Sequence, residues 1–280
     1  RRLLHPAMRG VFTVSLDMYP SPGGPGGLGM FLPPWASDGG LDALVERLQD
    51  GAVRKRLKME MTEPGLLPGY QSYVRDLGPK CFDHVVICEC QRPENKQYAG
   101  KSINQAKPDG MDPFDFIFDL LVSERGDLPV VIPDVIDLDD TYLQMVFRHP
   151  CTVFGSDGYA LATYGVLSEG NPHPRSSGAF PRVLGNYVRE RRLFTWHEAI
   201  RKMTSLPAEH LGMTDRGVLA EGMVADIMIF DPMTIIDRST MEDPHRYPDG
   251  MQYVMTNGVL VVAGGEHTGA LPGGVLRKKW

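Results

Sequence analysis

The sequence predicts an α/β fold followed by an all-β tail, and three observations carry that expectation. Short β-branched runs alternate with amphipathic helical stretches from Val11 to Met203, the texture of parallel βα units. After Gly212 the helical periodicity stops, and Asn257-Gly258 sits between two apolar runs, which is a hairpin signal. The 31 glycines and 23 prolines in 280 residues demand many ordered turns.

In chain order, Val11 to Leu16 is a short apolar run that predicts a buried strand ending at Asp17-Met18-Tyr19-Pro20. The glycine- and proline-rich run Ser21 to Gly29 is too broken for regular structure and reads as an ordered loop over a pocket. Asp38 is placed to cap one helix from Leu41 to Met61, with Leu41, Leu44, Val45 and Leu48 on one face. His84 to Cys88 reads as a strand. Asp112-Pro113, with Asp115 in the first turn, marks a helix start with Phe114, Ile117, Phe118, Leu120 and Leu121 on its apolar side. A third strand at Val130 to Ile132, a helix from Asp139 to Arg148 and a fourth strand from Cys151 to Ser156 come next, the last ending in Asp157. Val183 to Arg191 is helical, and Thr195-Trp196-His197-Glu198 is a capping box opening a helix through Met203. A strand at Val224 to Phe230 and the hairpin Tyr253 to Thr256 with Val259 to Val262 close the pattern.

Composition removes several classes of function. Apolar residues make up 42% and charged residues 23%, ordinary globular usage. The net charge of −6 argues against a general nucleic-acid binder. No run approaches the ~18 apolar residues of a membrane span. Cys81, Cys88, Cys90 and Cys151 lack zinc-finger spacing and read as reduced thiols of a cytoplasmic protein, with Cys88 and Cys90 in the core. No phosphate-cradling glycine motif lies between a strand and a helix, which argues against nucleotide binding.

Chemistry in a βα barrel sits at the carboxyl ends of strands. Asp17 and Asp157 hold that position. Asp17 reads as a turn or helix cap. Asp157 suits a metal ligand, a general base or a turn former. No H-x-H or H-E-x-x-H occurs among the eight histidines. His149, before the fourth strand, reads as structural, and His197 as a surface residue. His173 and Arg175 share a proline-flanked loop on the Asp157 side, either a solvated turn or an anion clamp.

Several of these segments occur together in one family. They are Asp17-Met18-Tyr19-Pro20, Gly155-Ser156-Asp157-Gly158, His173-Pro174-Arg175, Phe180 to Gly185, Ala199 to Thr204, and Ala225-Asp226-Ile227 through Phe230-Asp231-Pro232. In that order they resemble the carboxyl-terminal half of the D-aminoacylase (N-acyl-D-amino-acid deacylase) family of the amidohydrolase superfamily. The resemblance implies a partial (β/α)8 barrel holding the last strands and helices, with an inserted segment at about residues 21–110. Residues 1–212 would belong to the barrel and residues 213–280 to part of a small β-sandwich. It implies zinc-assisted hydrolysis of the amide of an N-acyl-D-amino acid, with no nucleic-acid or membrane partner. Asp157 matches the family's proton-shuttling, metal-binding aspartate, Tyr19 a tyrosine that contacts the substrate carboxylate, and Arg175 a further substrate-binding residue. The family's other metal ligands should all precede Asp17, so the chain reads as a fragment that is inactive alone, its barrel open. Two alternatives fit the residues: another amidohydrolase, dihydropyrimidinase-like or a deaminase, or a non-catalytic scaffold that lost its ligands. Met30, Phe31, Leu32 and Trp35, in a stretch without Arg, Lys or His, are expected to line a pocket for neutral side chains.

Overall fold

The computed structural model describes residues 14–21, 23–132 and 140–277. Residues 11–13 of the first expected strand lie outside them. The strand that is described, β1 (Leu16–Met18), leads into a long excursion. The excursion contains β2 (Gly24–Gly27), α1 (Leu41–Leu48), α2 (Gly51–Thr62), α3 (Tyr73–Leu77), β3 (Val86–Ile87), α4 (Ile103–Ala106), α5 (Pro113–Ser123) and β4 (Pro129–Ile132). The chain then passes through α6 (Asp140–Arg148) into β5 (Thr152–Phe154), which pairs in parallel with β1, Asp17 opposite Val153. Next come α7 (Arg175–Arg182), a π-helix (Val183–Glu190), α8 (Trp196–Met203) and α9 (Ser205–Leu211). The strands β6 (Ile227–Phe230), β7 (Met251–Thr256), β8 (Val259–Ala263) and β9 (Glu266–His267) form an antiparallel sheet in that order.

The expected α/β texture is present, but among the described strands only β1 and β5 pair in parallel. The other two interior strands and β2 form an antiparallel sheet, β2-β4-β3. The glycine-rich run expected to lack regular structure is therefore a strand. It lies at the sheet edge, the position where proline and glycine are tolerated because one side of the backbone needs no partner. The single helix expected from Leu41 is two. Asp50 accepts from the amides of Ala52 and Val53 and so starts α2 anew, while Asp38 ends a short 3-10 turn and Gly40 precedes α1. The helix expected from Val183 begins earlier, at Arg175. Pro181 has no N–H for the carbonyl one turn back, and the backbone widens to π spacing just beyond it.

Two apolar cores result. The first runs from Leu28 to Val130, and α5 supplies Phe114, Phe116, Ile117, Phe118, Leu120 and Leu121 to it. The second gathers Phe147, Phe154, Val183, Leu184, Tyr187, Val188, Leu193, Ala199 and Ile235, with Met18 of β1 packed against it. In the terminal sheet the expected turn is present, with Asn257 at φ 49° and Gly258 at φ 80°. No strand residue of β6 to β9 is buried. Among the described residues no helix is long and apolar enough to cross a membrane.

Candidate active site

Parallel pairing puts the carboxyl ends of β1 and β5 side by side, and side chains alternate between the two faces of each strand. Met18 and Phe154 face the second core. Asp17 lies on the other face, beside Gly155, whose amide donates to the Met18 carbonyl at 3.2 Å. A Cβ on Gly155 would lie 2.9 Å from Asp17 Oδ1, so this glycine leaves room for the carboxylate.

The turn after β5 is shaped residue by residue. Asp157 adopts φ 47°, left-handed backbone that Asp tolerates better than most side chains. The Gly158 amide donates to Ser156 Oγ, and the Tyr159 amide to Ser176 Oγ, both at 3.2 Å. A Cβ on Gly158 would come within 2.6 Å of the Ser176 Cα, so the turn is pressed against the start of α7. That contact carries Asp157 to Arg175. Arg175 Nη2 and Asp157 Oδ2 are 2.5 Å apart, and the guanidinium lies 4.4 Å from the centre of the Tyr19 ring. Arg175 is 6% exposed and the Asp157 side chain 68%, so a buried cation faces an open carboxylate. Buried His173 accepts the Arg175 amide on Nδ1 at 3.0 Å, which fixes the first turn of α7.

Tyr19, Asp157 and Arg175, far apart in sequence, therefore form one contiguous group. The residues expected to be structural lie elsewhere. His149 accepts the Cys151 amide at 3.3 Å, ahead of β5 and away from its carboxyl end. His197 is exposed on α8. Cys81, Cys88 and Cys90 are unpaired and buried, and burial pushes their thiols up to about 11, about 12 and about 11.

Two features differ from expectation or escaped it. Phe31 and Leu32 are buried in the first core, and Trp35 packs against it while donating to Glu60 at 2.6 Å, with Arg56 4.0 Å above its ring. These three residues build the insert, while Met30, the fourth expected to line a pocket, is exposed. Lys202 lies in the Ala199–Thr204 segment, where it is given no role by the sequence. It is fully buried and donates to the carbonyls of Phe147, at 2.9 Å, and His149, capping the end of α6. Burial lowers its pKa, against the pull of Glu198. The spacing that could have pointed to burial is a lysine in phase with buried Ala199 on α8.

Residues 152–262, which include Asp157 and Arg175, match the amidohydrolase family. The chain is 41% identical to an N-acyl-D-glutamate deacylase of Alcaligenes xylosoxydans xylosoxydans over 143 residues, 50% of this chain and 27% of that protein. It is 38% identical to a D-aminoacylase of the same organism over 141 residues, 50% of this chain and 28% of that protein. It also superposes on a crystal structure of N-acyl-D-glutamate deacylase from Bordetella bronchiseptica complexed with zinc and a phosphonate mimic of the tetrahedral intermediate. That match has TM-score 0.62 and 27% identity, covering 95% of this chain and 44% of the other. The chain is similar to part of the D-aminoacylases. A solved D-aminoacylase with a binuclear metal centre aligns over 96% of this chain and 44% of its own, at TM-score 0.62 and 25% identity. The chain thus spans less than half the length of these D-aminoacylase relatives. The residues present do not by themselves fit a metal centre: among the described residues, no three His, Cys, Asp or Glu side chains converge to hold an ion.

Proposed function

We propose that the protein carrying this chain hydrolyses the amide bond of N-acyl-D-amino acids, giving a carboxylate and a free D-amino acid. The observation that carries this reading is the contact of Asp157, Arg175 and Tyr19 at the carboxyl ends of β1 and β5, two of the three lying inside the amidohydrolase match. Arg175 and Tyr19 bind the substrate α-carboxylate, the guanidinium by paired hydrogen bonds and the phenol by its O–H. The incoming carboxylate replaces Asp157 on Arg175, so the buried cation stays paired and Asp157 is released toward the scissile amide. Asp157 then takes a proton from the attacking water and returns it to the departing nitrogen. The related deacylase from Bordetella bronchiseptica binds zinc. Asp157 is the residue of this chain that would bind such a metal, and the described residues do not supply the rest of a site.

The parallel β1–β5 pair supports a (β/α)8 barrel contribution from the residues up to 212, and the sheet β6 to β9 supports part of a β-sandwich for residues 213–280. The first core supports an insert ending near residue 132 rather than 110. Unpaired cysteines support a reducing, cytoplasmic setting. The test compares N-acetyl-D-leucine with its L enantiomer in the zinc-supplemented protein. Stereoselective release of acetate and D-leucine in equal amounts is expected; equal rates for the two enantiomers would overturn the reading.

A further inference from the structure

The Arg175–Tyr19 clamp is also touched by the insert. Gly24 opens β2, and a Cβ built there would lie 3.0 Å from the Tyr19 hydroxyl oxygen and 3.7 Å from Arg175 Nη1. Gly27, on the same strand, has nothing within 4 Å of its Cβ position. Neither glycine has the left-handed backbone that requires the residue. Both pair with β4, Gly24 opposite Ile132 and Gly27 opposite Pro129. Neither position therefore needs glycine for its backbone, and of the two only Gly24 faces the clamp.

Tyr19 has little freedom to yield. The Arg175 guanidinium covers one face of its ring, and the carbonyl of the next residue, Pro20, accepts from Tyr187 Oη at 3.4 Å. The strand has little freedom either, because Leu28 at its end is held by Leu128 at 2.8 Å and is buried in the first core. A rigid insert and an anchored clamp meet at one position without a side chain.

We propose that Gly24 is a positioning residue: its missing side chain sets the gap between insert and clamp in which the substrate α-carboxylate is held. This inference rests on the deacylase reading above and names how the insert acts on that site. A methyl group at 3.0 Å from the hydroxyl must displace it, since contacts that close are repulsive. The displacement falls on carboxylate binding and leaves Asp157, which meets Arg175 at Nη2 and not at the Nη1 that Gly24 approaches, to move its proton as before.

The test uses Gly24→Ala and Gly27→Ala in the protein that carries this chain, with N-acetyl-D-leucine. For Gly24→Ala, KM is expected to rise about tenfold or more with kcat nearly unchanged, the pattern of lost uniform binding. Gly27→Ala should match the parent in kinetics and melting, whereas Gly24→Ala should stay folded with a modestly lowered melting temperature. In a Tyr19→Phe background, Gly24→Ala should add little, because the hydroxyl it strikes is gone. Equal kinetics for the two alanine variants, a loss confined to kcat, or an undiminished effect without the hydroxyl would overturn the proposal. Calorimetric binding of N-acetyl-D-leucine separates the two claims. If the parent binds but does not turn over, the deacylase reading fails, and Gly24 still stands or falls on whether Gly24→Ala alone weakens binding. If the parent neither binds nor turns over, both fail.

Discussion

Among the described residues, the core enclosed by α1 to α5 contains twenty-five buried residues, the core between β5, the π-helix and α8 contains nine, and the strands β6 to β9 contribute none. The insert is closed by its own devices. Asp50, Ser72, Ser102 and Asp112 cap its helices. The buried Glu124 carboxylate accepts the Gln91 amide at 2.7 Å and Asn95 Nδ2 at 2.6 Å. The candidate active site belongs to the other region, where a buried arginine meets an exposed aspartate. The contrast teaches that the insert is the rigid body and the strand-end site the adaptable one, with β2 between them.

The largest expected effect tests that difference in closure. Phe118→Ala, in the first core, should cost about 3–5 kcal/mol, and Phe154→Ala, in the sparser second core, should fall at or below the low end of that range. Urea midpoints check this, and equal losses would break the comparison. Next in size is Glu124→Ala. It strands two backbone amides and a side-chain amide, and about 2–3 kcal/mol is expected. Lys202→Met, its counterpart across the molecule, should cost about 1 kcal/mol or less, because relief of a buried amine offsets two lost carbonyl bonds.

Much of this was legible in the sequence where the signal is local. Asp112-Pro113 starts α5 as expected, and Asn257-Gly258 makes the hairpin. Tyr19, Asp157 and Arg175 were legible as motif residues, and their contact comes from strand-end placement. The illegible part depends on partners distant in sequence. β2 is a strand only because β4 pairs with it, and its glycines carry no strand preference of their own. Phe31 and Leu32 look the same in sequence whether they face a pocket or a core; α5 and its neighbours decide. Lys202 hides because a lysine on a helix is ordinarily solvated.

Thiol chemistry sharpens the comparison at smaller scale. With burial holding the Cys81, Cys88 and Cys90 thiols at about 11 to 12, they stay protonated at pH 8, whereas Cys151 is half-exposed. A disulfide reagent should modify Cys151 first and the other three only on unfolding. Three fast thiols would mean that the insert is not closed.

The smallest effect is on acid stability, where the two regions should behave alike. The Arg201 hydrogen bond holds Glu198 below its ordinary value. Burial pushes Asp112 up, but the hydrogen bonds from Lys58 and the Phe114 amide outweigh it and its pKa is lowered. A depressed carboxylate contributes stability that is complete above its unfolded value and is lost as pH falls through its folded value. Both contributions should fade only below the ordinary values of 3.8 and 4.5. Asp112→Asn and Glu198→Gln variants should each flatten the parent's loss of stability in that range, and a decline beginning near pH 6 would point to other groups.

Asp157→Asn in the protein that carries this chain tests the central claim most directly. Asn keeps the side chain's shape but leaves the buried Arg175 guanidinium without its anion, so the variant should stay folded with a lowered urea midpoint. The substitution removes the proton acceptor, and kcat/KM for N-acetyl-D-leucine should fall by about a thousandfold or more, near the upper range for general acid–base catalysis. A variant that stays folded and keeps kcat/KM within about tenfold of the parent would contradict the assignment, since a loss that small is below what a positioned base contributes.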